Sequence, residues 1–346
     1  MGRNNFNFRV TIFLFLLASL PLVSCEECSS KSKGGCHDRN EALKLKVIAI
    51  FCILLSSMIG ICLPIFTTSI PALKPDGDLF VIVKAFASGV ILATGYMHVM
   101  PDSFADLTSP CLPQQPWHKF PFTTFIAMIS AVFTLMVDSF SISYFKKKLP
   151  MSSSLNNLDT TKELEHGHGH GLAVVNGHDK NVTAEQLMRY RVVAQVLELG
   201  IVVHSVVIGL SLGASENPCT IKPLIAALCF HQLFEGMGLG GCILQADYGV
   251  KMKGIMVFFF SVTTPFGIIL GIGLSKVYSD TSPTALIVEG ILNAISAGLL
   301  NYMALVDLLA NDFMGAKLQS RIKLQLWSYV AVLLGAGGMS VLAIWA

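Results

Sequence analysis

Eight stretches of this chain are apolar and nearly free of charge over about 20 residues each, the length a helix needs to cross ~30 Å of hydrocarbon at 1.5 Å per residue. They run Val47–Phe66, Leu79–Met100, Phe122–Tyr144, Val192–Ala214, Thr220–Leu244, Gly254–Lys276, Thr284–Val306 and Leu326–Ala346. Hydrocarbon offers no partner to an unpaired backbone group, so a single apolar segment crosses it as a helix. The chain therefore reads as an all-α integral membrane protein with eight transmembrane helices. Composition agrees, with 53% hydrophobic and 13% charged residues where soluble domains carry about 25% charged. A formal net charge of +2 leaves no electrostatic footprint for nucleic acid, and the surface partner is the lipid bilayer.

Residues 1–25 have the pattern of a cleavable signal peptide. Arg3 and Arg9 precede an apolar run from Val10 to Val23, and Val23-Ser24-Cys25 offers small residues for cleavage. Residues 26–46 then form an outer tail, 47–144 carry helices one to three, 145–191 are a cytoplasmic loop, and 192–346 carry helices four to eight. The cations test this orientation. The inner loops hold Lys74, Lys146, Lys147, Lys148, Lys162, Lys180, Arg189, Arg191, Lys251, Lys253, Lys317, Arg321 and Lys323, whereas the outer loops hold Lys119, Lys222 and Lys276. That asymmetry follows the positive-inside rule. We expect a multi-pass protein of the plasma membrane with both termini extracellular. Asn181-Val182-Thr183 is a formal glycosylation sequon, and its cytoplasmic placement predicts that it stays unmodified.

The cysteines divide by location. Cys25, Cys28, Cys36 and Cys111 fall outside, where disulfides form; Cys28 with Cys36 is one candidate among pairings that spacing does not fix. Cys52, Cys62, Cys229 and Cys242 lie in apolar helices as packing residues, and Cys219 flanks one.

Ionisable groups inside hydrocarbon are expensive and mark function. The fourth stretch carries Glu198 and His204, and the fifth carries His231, Gln232 and Glu235. His204 lies ~18 Å along its helix and His231 at a similar depth in the next, antiparallel one. Glu235 is one turn from His231 on the same face, and Glu198 falls ~9 Å below His204. Two imidazoles at one level, with two carboxylates a turn nearer the cytoplasm, form a site for a borderline divalent metal such as zinc or iron(II). The matching His-and-Gly patterns of the two stretches resemble an inverted pair, the arrangement that places transporter sites at midplane.

Weaker signals flank this centre. His98 and Asp102 are four apart and would meet at an external mouth if the helix continues past Pro101. Glu289 and Asn293 lie in the outer half of the seventh stretch, and Asp138 and Asp307 near the cytoplasmic ends of the third and seventh. His166, His168 and His170 alternate with glycine in the long loop, flexible imidazoles suited to exchangeable metal capture. Gly209-xxx-Gly213, Gly236-xxx-Gly240 and Gly267-xxx-Gly271 are packing devices for close helix approach.

The run from Val196 to Gly209 (VLELGIVVHSVVIG), the run from Phe230 to Gly241 (FHQLFEGMGLGG) and Met97-His98-Val99-Met100-Pro101-Asp102-Ser103-Phe104 together resemble the ZIP zinc/iron-regulated transporters, and among them the plant branch. The resemblance covers nearly the whole chain beyond residue 25. It implies a 3+2+3 arrangement of helices with inverted repeats, an outward N-terminus, inward flux, and a metal path between helices two, four, five and seven. Onto this sequence it carries His204, Ser205, His231, Gln232 and Glu235 as the core site. It does not settle Glu198 or Glu289, which with His98 and Asp102 stand as pathway positions on the reading of the residues alone. Ile208 and Gln232 stand where many or some relatives have acidic residues, so we expect one principal ion rather than two. The expectation is a zinc importer, with iron(II) preference as the alternative, metal as cargo rather than cofactor, and a homodimer as a further option. An intramembrane metalloenzyme would need a motif such as His-Glu-x-x-His, which the chain lacks. A metal-sensing receptor would need an outer ligand domain larger than residues 26–46.

Overall fold

A computed structural model describes residues 38–66, 77–148, 184–275 and 282–344. Eight helices among them are long and apolar enough to span a membrane, and the described residues contain no strand. We number them α1 (Arg39–Phe66), α2 (Asp78–Leu107), α3 (Phe122–Lys148), α4 (Ala184–Ala214), α5 (Pro218–Gln245), α6 (Val250–Leu274), α7 (Pro283–Phe313) and α8 (Ile322–Leu342). The expected signal peptide, the His-rich run, the sequon and Cys25, Cys28 and Cys36 lie outside the described residues.

Several helices outrun the apolar stretches that define them, for local reasons. Helix α1 begins at Arg39, within the expected outer tail, because the Asp38 carboxylate accepts from the backbone N–H groups of Asn40 and Glu41 at 2.9 and 3.1 Å. Such caps satisfy donors that a helix start leaves orphaned. Ion pairs then tie this polar turn to the α4–α5 connection: Arg39 to Glu216 and Lys222 to Glu41, each at 2.7 Å. Helix α2 continues through Pro101 to Leu107. It is α-helical to Ala93, π-helical over Thr94–Val99 and α-helical again from Met100, so Pro101 falls in a first turn, where a missing N–H is tolerated. Helix α7 has the same irregularity, with a π-helical stretch over Met303–Ala310.

The helices pack as two groups of four. In one, α1 lies on α5 and α6, and α4 on α6; in the other, α8 lies on α2, and α7 on α3 and the far end of α2. Within each group backbones touch. A methyl on Gly60 of α1 would fall 2.2 Å from the carbonyl oxygen of Leu233 in α5, and one on Gly89 of α2 would meet the Val332 carbonyl of α8 at the same distance. The expected packing glycines behave this way too, Gly209 and Gly213 facing Gly267 and Gly271 while Gly236 and Gly240 face Ile61. Between groups the glycines meet side chains instead: Gly200 of α4 faces Leu299 of α7, and Gly238 of α5 faces Ile91 of α2. The packing thus divides the helices four and four and does not itself display the 3+2+3 order. Large apolar side chains stand exposed along α1, α3 and α8, among them Phe51, Phe140 and Leu333, as lipid-facing surface requires.

Cys111 and Cys219 are disulfide-bonded, while Cys52, Cys62, Cys229 and Cys242 are free thiols. Sequence spacing does not mark Cys219 for a disulfide. Its position in the first turn of α5 places it at the same end of the bundle as Cys111, because successive spans alternate in direction.

Candidate metal site

The seam between the two groups holds the polar residues. His204 comes from α4, and His231 and Glu235 from successive turns of α5. One ligand atom from each lies within 4.8 Å of the others. All three are buried, Glu235 completely. The ring centroids of His204 and His231 are 5.8 Å apart. Both nitrogens of each imidazole and both Glu235 oxygens are buried with no hydrogen-bond partner. Leaving such a group unpaired costs about 1–3 kcal/mol, and native interiors keep few of them. A cation held by all three would occupy one nitrogen of each imidazole and the Glu235 carboxylate at once. Zinc bonds to nitrogen and oxygen of about 2.0–2.1 Å imply ligand atoms about 3.3 Å apart in a tetrahedron, a contraction within reach of side-chain rotation.

His98 joins this centre rather than an outer mouth. Its ring lies 6.3 Å from that of His204 and 6.0 Å from that of His231, and its buried Nε2 has no partner. The reason is the π-helical stretch, which carries His98 and changes the angular phase of α2 between Ala93 and Met100. Periodicity at 3.6 residues does not anticipate that turn, and π-helical segments recur at functional sites. Asp102, one turn on, is exposed, so the two residues part company. Ser205 and Gln232 are buried beside the two histidines, with Ser205 Oγ and Gln232 Nε2 unpartnered. Glu198 and Glu289 are buried outside the three-residue group. Ile208 packs with Ile53, Leu212, Ile221 and Ile268 in an apolar cluster, so no acidic group stands at that position of α4. His166, His168 and His170 lie outside the described residues.

Sequence reasoning undervalued one group. Asp138 of α3, Asp307 and Tyr302 of α7, and Arg189 at the start of α4 lie within electrostatic reach of one another. The Tyr302 hydroxyl donates to Asp138 at 3.5 Å. One oxygen of each aspartate and the Arg189 Nε are buried without a partner. Here too the signal is a π-helical stretch, the one that carries Asp307. Nearby, Lys84 of α2 is buried and donates to Asp312 of α7 and to Gln245 of α5 at 3.0 and 3.1 Å. Toward the opposite end, Asn293 donates to Asp106, and the Ser103 hydroxyl donates to the Gly290 carbonyl at 2.7 Å.

Eight membrane-length helices with a buried group of metal-ligating side chains on their internal seam define a polytopic membrane protein. The chain belongs to the ZIP zinc transporter family, whose model matches residues 43–343. It is 59% identical to "Fe(2+) transport protein 1" of Oryza sativa subsp. japonica, over 96% of this chain and 92% of that one. It is 56% identical to "Probable zinc transporter 10" of Arabidopsis thaliana, over 100% of both chains. It is also 56% identical to "Fe(2+) transport protein 1" of Arabidopsis thaliana, over the same full lengths.

Proposed function

We propose that this protein carries zinc into the cytosol across the plasma membrane, binding one ion at a time through His204, His231 and Glu235. The observation that carries this reading is the set of unpartnered donor atoms gathered within 4.8 Å on three buried side chains from two helices. His98, its ring 6.3 and 6.0 Å from those of His204 and His231, is placed to exchange into the coordination, and Ser205 and Gln232 are sequence neighbours of the two histidines. The metal is cargo, with no resident cofactor in the scheme. Asp102, Asp106 and Glu289 receive it on the outer side. Glu198 and the Asp138–Asp307 pair lead it inward, where His166, His168 and His170 collect it. Both termini face outside in this scheme, which agrees with the disulfide-bonded Cys111 and Cys219 at one end of the bundle and the cation-rich loops at the other. The seam between helix groups, packed through side chains rather than backbone, is the natural plane of movement for a carrier that opens to one side at a time. A homodimer fits the exposed apolar faces but is not needed for the site.

Iron(II) is the second reading, favoured by the similarity to proteins named Fe(2+) transport proteins. Imidazole and carboxylate ligands accept either ion. Uptake of radiolabelled zinc and ferrous iron, with mutual competition, by metal-starved cells expressing the full chain decides between them. Zinc uptake resistant to a tenfold excess of ferrous iron supports the first reading. The reverse pattern supports the second.

A further inference from the structure

Arg189 belongs to one helix group and the acids it faces belong to the other. The first turns of α4 are fixed from behind. Arg191 Nε donates to the Ala246 carbonyl at 3.0 Å, the Tyr248 hydroxyl donates to the Arg191 carbonyl at 2.9 Å, and Gln195 Nε2 donates to that hydroxyl at 2.7 Å. These bonds tie the start of α4 to the α5–α6 turn. Across the seam, Asp138 and Asp307 are 7% and 3% exposed, each with an oxygen that no neighbour satisfies. Arg189 acts on both carboxylates, yet its own buried Nε is equally unsatisfied. Two buried acids and one guanidinium thus lie within electrostatic reach of one another without pairing through these atoms. A structural salt bridge would bring them into contact, as Lys84 and Asp312 are in the same half of the molecule.

We propose that Arg189 is a tethered competitor cation, a positioning residue that weakens metal binding at the Asp138–Asp307 station so that the ion leaves it quickly. Two carboxylates alone are a strong attractor for a dication in a low-dielectric setting. A fixed positive charge beside them offsets part of that attraction and repels the ion, turning a trap into a passage. Arginine suits the task because its guanidinium stays charged at every physiological pH. This inference rests on the transport reading above.

The test uses full-length protein in two assays. In purified protein carrying Glu235→Gln and His204→Ala, which removes the central ligands, zinc titration reads the acid station directly. Adding Arg189→Gln should tighten that residual binding at least tenfold, and adding Asp307→Asn should abolish the gain. In cells, Arg189→Gln alone should lower the maximal zinc uptake rate several-fold while lowering the apparent KM, and Arg189→Lys should restore most of the rate. Residual zinc affinity that does not change on Arg189→Gln would overturn the proposal. So would a fall in maximal rate with unchanged KM and no rescue by lysine, since that is the pattern of a folding defect. Failure of the transport reading is distinct: the unmodified chain would then show no uptake at all.

Discussion

Lys84 and Asp312 form an ion pair at 3.0 Å, with the lysine side chain only 4% exposed, and Gln245 from the opposite helix group accepts from the same ammonium. Removing one partner of a buried pair typically costs about 3–5 kcal/mol, whereas replacing both with apolar groups is often neutral. Asp312 retains some exposure, so Lys84→Met should fall at the low end of that range. Lys84→Met with Asp312→Leu should recover most of the loss. Thermal unfolding of purified protein in detergent measures both.

The backbone contact at Gly60 makes a sharper steric prediction. A side chain there meets the Leu233 carbonyl, which a helix cannot move aside, and Gly60→Val should destabilise by at least ~2 kcal/mol in the manner of an overpacked core. Gly254 in α6 has nothing within 4 Å of an added methyl. Gly254→Ala should be neutral or stabilise by up to ~1 kcal/mol through lower unfolded-state entropy. The same unfolding assay separates the two.

Imidazole binds metal only when neutral, and its unperturbed pKa is about 6.5. Protons on the outer side therefore compete with metal for His204, His231 and His98. The sign is definite: apparent zinc affinity should fall as external pH is lowered, because protons displace the metal from its ligands. Initial uptake rates at subsaturating zinc, taken from pH 7.5 to 5, check this, and a rate that rises on acidification would point to proton coupling instead.

Glu235 is the one carboxylate ligand of the three-residue group. Glu235→Gln keeps its shape and one oxygen but removes the charge that offsets a buried dication, and should reduce zinc affinity at least tenfold. Ser205→Ala removes only a weak neutral donor and should cost less than Glu235→Gln. Equilibrium dialysis of zinc against the purified variants ranks them.

Much of this was legible in the residues themselves. Long apolar stretches admit few folds, and each of the eight is matched by a helix. Polar residues in hydrocarbon are rare enough that His204, His231 and Glu235 declare themselves, and helical rise alone brings the two histidines to one depth with Glu235 a turn away. What escaped depends on departures from regular geometry. His98 reaches the central group through a π-helical stretch that no 3.6-residue pattern encodes, and Asp307 is carried by another. The early start of α1 depends on one cap at Asp38 and on ion pairs to residues more than 170 positions away, which local sequence does not reveal. The four-and-four division arises from which glycines face which backbones, a property of the assembled bundle.

The central claim is that His204 and its neighbours bind the ion that crosses the membrane. Saturable radiolabelled zinc uptake, compared between the unmodified chain and His204→Ala at matched surface abundance, tests it most directly. The substitution should remove saturable uptake while the protein still reaches the surface. Normal saturable uptake by His204→Ala would contradict it.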